Sequence, residues 1–228
     1  MIRVNVITEG QSELRFVKHV LNLHFNGQLI FDARCVLTSK DQRSNYEYRG
    51  GMSSYERAKK DIRAWLLSDT DAYVSTMFDF FRLPTDFPGY DEAMRRTDHS
   101  ESVEILETAL KRDILTSVPG IPSDRFIPYI QLHEFESLLF TDIRVLKSDY
   151  PDGDDIQNID RLYEETKNIP PEEINHGVET APSKRILRTV AYQKGDMSSE
   201  WLEEITIDKI RTKCPHFSQW LGVLHNLA

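Results

Sequence analysis

The sequence predicts an α/β fold, a mostly parallel, Rossmann-like sheet flanked by helices, with a helical region towards the C-terminus. Three observations predict it. Ile2, Val4, Val6 and Ile7 form a short β-branched run that stops at Thr8-Glu9-Gly10, and a helical period of Leu14, Phe16, Val17, Val20 and Leu21 takes over. The alternation of strand pattern and helix pattern then recurs along the chain. The later strand patterns at 72–81 and 126–132 also run into acidic residues, as the first one does.

The elements follow in order. Residues 12–25 read as the first helix, with Ser12 at or near its N-cap. Residues 29–38 read as a second strand. The polar stretch 39–52, with Tyr46, Tyr48, Arg49 and Gly50-Gly51, reads as a loop. Residues 53–67 place Tyr55, Ala58, Ile62, Trp65 and Leu66 on one helix face, and the strand 72–81 ends near Asp79, before the breaker-rich R-L-P-T-D-F-P-G-Y. Residues 99–117 form an amphipathic helix. Residues 126–132 read as a strand, and Pro128 favours an edge or early position in it. Residues 142–180 are acidic and poorly periodic, with a short helix at 159–168, and read mostly as a solvated face. Two tail helices, 203–213 and 216–227, are broken at Cys214-Pro215. The division expected is a core over 1–141 and an acidic insertion plus helical region over 142–228, packed together as one unit.

With 228 residues, 39% hydrophobic and 29% charged, the chain fits one globular domain with insertions. No apolar run approaches a membrane span, and the first residues are a strand rather than an export signal. Cys35 and Cys214 read as reduced thiols, so the expected location is cytoplasmic, with no membrane partner. The net charge of −9 argues against a general nucleic-acid coat, yet is compatible with a nuclease whose metal site needs clustered carboxylates. There is no phosphate-binding G-x-x-x-x-G-K-[ST] loop and no G-x-S-x-G elbow. His133-Glu134-Phe135-Glu136 lacks the second histidine of the zinc-protease motif.

The candidate chemistry lies at strand ends. Glu9 follows the first strand, and Glu13 sits four residues on in the first helical turn. Asp79 ends a second strand among Phe78, Phe80 and Phe81, where a carboxylate needs a pairing charge or a metal. Glu134 and Glu136 follow a third. Hard oxygen donors in that arrangement suit Mg²⁺ or Mn²⁺. The bland alternatives are a helix-dipole role for Glu13 and first-turn acids at 134 and 136. Asp86, deeper in the loop, is the weaker candidate and also fits a turn residue. Near Pro182, Ser183, Lys184 and Arg185, with Lys194 further on, could offer donors to a phosphate; the alternative is a set of surface cations.

Together, V-I-T-E-G-Q-S-E, M-F-D-F-F-R-L-P-T-D-F-P-G, I-Q-L-H-E-F-E-S-L-L-F, T-A-P-S-K-R-I and A-Y-Q-K-G-D resemble a bacterial family of Toprim-like proteins over nearly the whole chain. More distantly the set is similar to the Toprim nucleases of the OLD type and of abortive-infection systems. That resemblance implies a Toprim-like sheet, a Mg²⁺ or Mn²⁺ site, phosphodiester cleavage of nucleic acid in phage defence, and an ATPase partner protein. Its E-G-x-x-D/E pattern is matched by Glu9-Gly10 and Glu13. Its D-x-D pattern is matched by Asp79 alone, since Phe81 holds the second position. Either Glu136 or Asp86 then replaces that ligand, or the site holds one metal, or cleavage is lost. The F-E-x-L-L around Glu136 and the Y-x-K of Tyr192 and Lys194 look similar to motifs of the defence-associated relatives, which implies catalytic roles for Glu9, Asp79, Glu136 and Lys194. Two further readings stay open: a non-catalytic regulatory subunit of an ATPase complex, and an enzyme acting on free nucleotides.

Overall fold

Val4, Val6 and Ile7 are fully buried, as a central strand of a two-sided parallel sheet requires, and they lie in β1 (Ile2–Thr8). The computed structural model of the chain describes residues 1–40, 47–49, 52–174, 180–191 and 198–228. After β1 come α1 (residues 11–25), β2 (Leu29–Cys35), a β3 (Leu37–Lys40) and β4 (Glu47–Arg49) pair, α2 (Tyr55–Ser68) and β5 (Tyr73–Asp79). Next are α3 (Tyr90–Ala93), α4 (His99–Ser117), β6 (Phe126–Ile127) and β7 (Ile130–Gln131). The rest is helical: α5 (Gly153–Thr166), α6 (Pro182–Thr189), α7 (Ser198–Ile205), α8 (Ile207–Lys213) and α9 (Pro215–His225).

The main sheet is parallel, in the order β2-β1-β5-β6, with β7 continuing along β5. This is the mostly parallel α/β architecture that the strand–helix alternation predicts. Each face is covered by helices. On one, Val4, Val6, Phe31 and Met77 meet Phe16, Val17 and Leu21 of α1 and Phe217, Trp220 and Leu224 of α9. On the other, Ile7, Val74 and Phe78 meet Tyr55, Ala58 and Ile62 of α2 and Val103, Leu106 and Leu110 of α4. The alternation of Val6 and Ile7 between faces is the strand period of two.

Several expectations are corrected. Residues 47–49, read as loop, form β4, antiparallel to β3; Tyr46, Gly50 and Gly51 lie outside the described residues. The edge strand expected over 126–132 is split at Pro128, which has no N–H to give the ladder. Thr76 bridges the gap: its Oγ1 donates to Tyr129 O and accepts the Tyr129 N–H, both at 2.9 Å. The short helix expected at 159–168 runs from Gly153 to Thr166, and the 142–180 region is less solvated than its acidity suggests, with Ile143, Leu146, Ile159 and Leu162 in the core. The tail has three helices, because Thr206 takes φ 73° and breaks the run between α7 and α8. These helices are pinned to the sheet and its turns. Trp220 Nε1 donates to Ser75 Oγ (3.0 Å), Lys213 Nζ to Thr141 O (2.9 Å) and Trp201 Nε1 to Asp149 Oδ2 (2.6 Å). Among the described residues no helix is long and apolar enough to cross a membrane.

Candidate metal centre

In an open parallel sheet the ligand crevice lies beyond the carboxyl ends of the strands, where the strand order reverses direction. Here that point is between β1 and β5, since the chain leaves β1 for β2 on one side and returns to β5 on the other. Glu9 follows β1 directly and extends its ladder, its N–H donating to Met77 O (3.2 Å). Asp79 ends β5, and its N–H donates to Glu9 Oε2 (3.2 Å). Asp79 Oδ1 accepts the Phe135 N–H (2.9 Å), which ties this point to the chain beyond β7. Glu13 stands in the first turn of α1 with its carboxylate folded back on the turn: a Cβ at Gly10 would lie 2.8 Å from Glu13 Oε2, so the glycine is what makes room for it. Glu136 lies in the 3-10 turn Phe135–Thr141 that follows β7. All four acids are buried.

Burial beside like charges sets the titration of Glu13 and Asp79. Burial first, then the charges of Glu136 and Glu9, raises Glu13 to about 8, against the opposing pull of its backbone hydrogen bond and of Arg82. Burial, then Glu13, Glu9 and Glu136, pushes Asp79 well above the carboxylate range, again opposed by Arg82. Glu9, Glu13 and Glu136 thus all lie within electrostatic reach of Asp79, and Glu9 and Glu136 within reach of Glu13. Among the described residues no three Asp, Glu, His or Cys side chains already stand at metal-ligand spacing. Glu9 and Asp79 each turn a carboxylate oxygen onto a backbone N–H. As donors the set still suits a hard divalent cation: all oxygen, buried, acidic, and backed by a glycine that leaves room for Glu13.

Other sequence candidates have different surroundings. Asp86 is exposed, and its two carboxylate oxygens accept the Tyr55 N–H at 3.0 and 3.1 Å. It therefore caps α2 from outside the helix, and the metal reading gives way to a structural one. Ser183 is buried, and its N–H donates to Glu134 Oε2 (2.9 Å), so the start of α6 already holds a carboxylate where a phosphate was expected. Arg185 Nε donates to Thr180 O (2.9 Å), and Lys184 is exposed. Tyr192 and Lys194 lie outside the described residues.

Glu134, read above as a strand-end acid, and Arg82, which the sequence reading passes over, also take part. Glu134 is buried and links α6 to the third strand end. Arg82 lies in the 3-10 turn Phe80–Arg82, with Nη1 3.9 Å from Glu9 Oε1 and Nε 4.0 Å from Asp79 Oδ2. Burial alone would lower its pKa; Asp79, Glu9, Glu134 and Glu136 outweigh that and raise it. The available signal was its spacing, three residues past a buried strand-end aspartate. Phe81, which fills the second position of the D-x-D pattern, stacks on the buried His133 ring with centroids 5.0 Å apart and planes at 9°. His133 takes φ 67°, an uncommon conformation for a residue with a side chain, and its carbonyl accepts the Phe81 N–H (3.4 Å).

Sheet, switch point and acid cluster together define an α/β protein with a candidate hard-cation site at its strand ends. The chain belongs to the family described as Domain of unknown function (DUF4276), whose model matches residues 8–225. No curated protein and no solved structure matches it.

Proposed function

We propose that the protein is a Mg²⁺- or Mn²⁺-dependent nuclease of Toprim-like type, cleaving phosphodiester bonds in nucleic acid. The observation that supports this best is the convergence of Glu9, Glu13, Asp79 and Glu136, buried together at the switch point of a parallel sheet. A divalent cation there would supply a Lewis acid for the phosphate and a water of lowered pKa. Glu9, Glu13, Asp79 and Glu136 would hold it. Glu9 and Asp79 give up a backbone hydrogen bond to do so, and Glu13, with its pKa of about 8, gives up a proton at neutral pH. Lys184, exposed at the start of α6, and Lys194 are the lysines we assign to the scissile phosphate. The resemblance of the sequence motifs adds a phage-defence setting and an ATPase partner.

A second reading, a non-catalytic regulatory subunit of an ATPase complex, is favoured by one observation: Phe81, not an aspartate, stands two residues after Asp79 and is committed to a stack on His133. Titration of Mn²⁺ into the metal-free protein separates the two. The nuclease reading expects binding by the wild type, a loss of about a hundredfold or more in affinity in Glu9→Ala and Asp79→Ala, and metal-dependent cleavage that Asp79→Ala abolishes. Unchanged turnover in Asp79→Ala would sink it, and metal binding without cleavage would leave the regulatory reading standing.

A further inference from the structure

Arg82 is placed as though for two tasks. Its guanidinium is half exposed, while Glu9 and Asp79, the carboxylates it faces, are buried. At 3.9 and 4.0 Å it is within ion-pair range but beyond hydrogen-bond range, so it compensates their charge without being locked to either. A guanidinium committed to a structural ion pair makes short, forked contacts, as Arg3 does with Asp69 (2.7 and 3.2 Å) and Arg144 with Asp142 (2.8 and 2.9 Å). The backbone beneath Arg82 is by contrast firmly held. Phe81 stacks flat on His133, His99 meets the Phe81 ring edge-on at 5.5 Å, and the Leu83 N–H donates to Phe80 O (3.4 Å). A fixed turn thus carries a loosely held cation at the mouth of an acidic cluster.

We propose that Arg82 is a further substrate-phosphate ligand of this site, beside the two lysines, and that it stands in as counter-ion to Glu9 and Asp79 until a divalent cation takes them over. The proposal rests on the metal-site reading above and deepens it. The physical basis is exclusion: a dication and a guanidinium repel each other at this separation, so the cation's arrival weakens the hold of the carboxylates on Arg82. The freed guanidinium has a planar fork of donors that matches a phosphate diester, and it starts within one side-chain swing of the carboxylates that hold the cation. Metal and phosphate then bind with positive coupling through one residue.

The test uses the full chain in three forms: wild type, Arg82→Ala and Arg82→Lys. Calorimetry measures Mn²⁺ affinity alone, then the affinity for deoxythymidine bisphosphate with Mn²⁺ present. Arg82→Ala removes a competing cation, so Mn²⁺ alone should bind about three- to tenfold more tightly. The bisphosphate should bind about tenfold or more weakly, since a charge-assisted fork is lost. Arg82→Lys keeps the charge and loses the fork, so its Mn²⁺ affinity should stay near wild type while bisphosphate binding still falls. Opposite shifts in the two affinities are the signature of the dual role. Weaker or unchanged Mn²⁺ binding in Arg82→Ala, or unchanged bisphosphate binding, overturns the proposal and leaves the metal site intact. Absence of Mn²⁺ binding by the wild type overturns both.

Discussion

The protein has a second set of buried or half-buried acids, and its contrast with the strand-end cluster is instructive. Glu107 of α4 lies 3.0 Å from His216 Nε2 and accepts the Ile130 N–H (2.7 Å). Glu172 accepts the His216 and Phe217 N–H groups at 3.0 and 2.9 Å, at the start of α9. Each acid there has a named donor and a favourable helix end or cation. The His216 ring stacks on Tyr129, and Tyr129 on Trp220. Those contacts join the edge strand, α4 and α9, and their purpose is structural. At the strand ends Glu9 and Asp79 also accept backbone N–H groups, but the acids there bear on one another and on one half-exposed arginine. Buried carboxylates that are satisfied hold a fold together. Buried carboxylates that repel one another are kept in spite of the fold, which points to a ligand.

Truncating the satisfied cluster should therefore cost most in stability. Glu172→Ala strips the acceptor from two N–H groups at the start of α9, and we expect a loss of about 2–3 kcal/mol in urea unfolding, with Mn²⁺ affinity unchanged. A loss of metal binding with intact stability would reverse the roles given to the two clusters.

The opposite sign is expected at the strand ends. Glu13 has its folded pKa raised from 4.5 to about 8, so the folded state binds its proton more tightly than the unfolded state does. That contribution is complete below about pH 4.5 and is lost as the pH rises through about 8. Glu13→Gln keeps the shape and removes the titration. It should stabilise the metal-free protein at neutral pH, on the order of 1–2 kcal/mol, and flatten the decline of melting temperature with pH. It should also weaken Mn²⁺ binding. A variant no more stable than wild type would mean that Glu13 is not under strain.

The sequence made one cluster legible and hid the other, for physical reasons. Glu9, Glu13 and Asp79 announce themselves because an acid at the end of a β-branched run, or among phenylalanines, breaks a local pattern. The strands β1 and β5 and the helix His99–Ser117 were legible for the same reason, since their periods are local. Arg82 was hidden in a stretch of breakers, where a cation reads as solvated. Glu134 bonding Ser183 across 49 positions, Asp86 capping α2 across 31 and Thr76 mending the gap at Pro128 are long-range bonds with no local signature. Glu107 and His216 look like ordinary helix residues, and Glu172 like one more acid of a solvated stretch. Only the packing of α9 on the sheet brings them together.

The smallest effect expected also separates the clusters best, because both lose stability in the same direction of pH. Burial by itself lowers the pKa of His216, and the hydrogen bond and charge of Glu107, with the charge of Glu172, overcome that and raise it. A histidine whose folded pKa lies above its unfolded value contributes fully below about 6.5, and that contribution fades as the pH climbs through the raised value. Replacing it by asparagine should remove about 1 kcal/mol or less at pH 6 and still less at pH 9, narrowing the pH dependence that remains in Glu13→Gln. Saturating Mn²⁺ should change the first effect and not the second. On the proposed metal-site reading a cation would displace the Glu13 proton, whereas the His216 proton serves α9, away from that site. Urea midpoints of the two single variants and the double variant, with and without Mn²⁺, would show additive shifts if the clusters are independent. A His216 contribution that vanished on adding Mn²⁺ would instead mean that the two clusters communicate through β7 and the turn that carries Glu134 and Glu136.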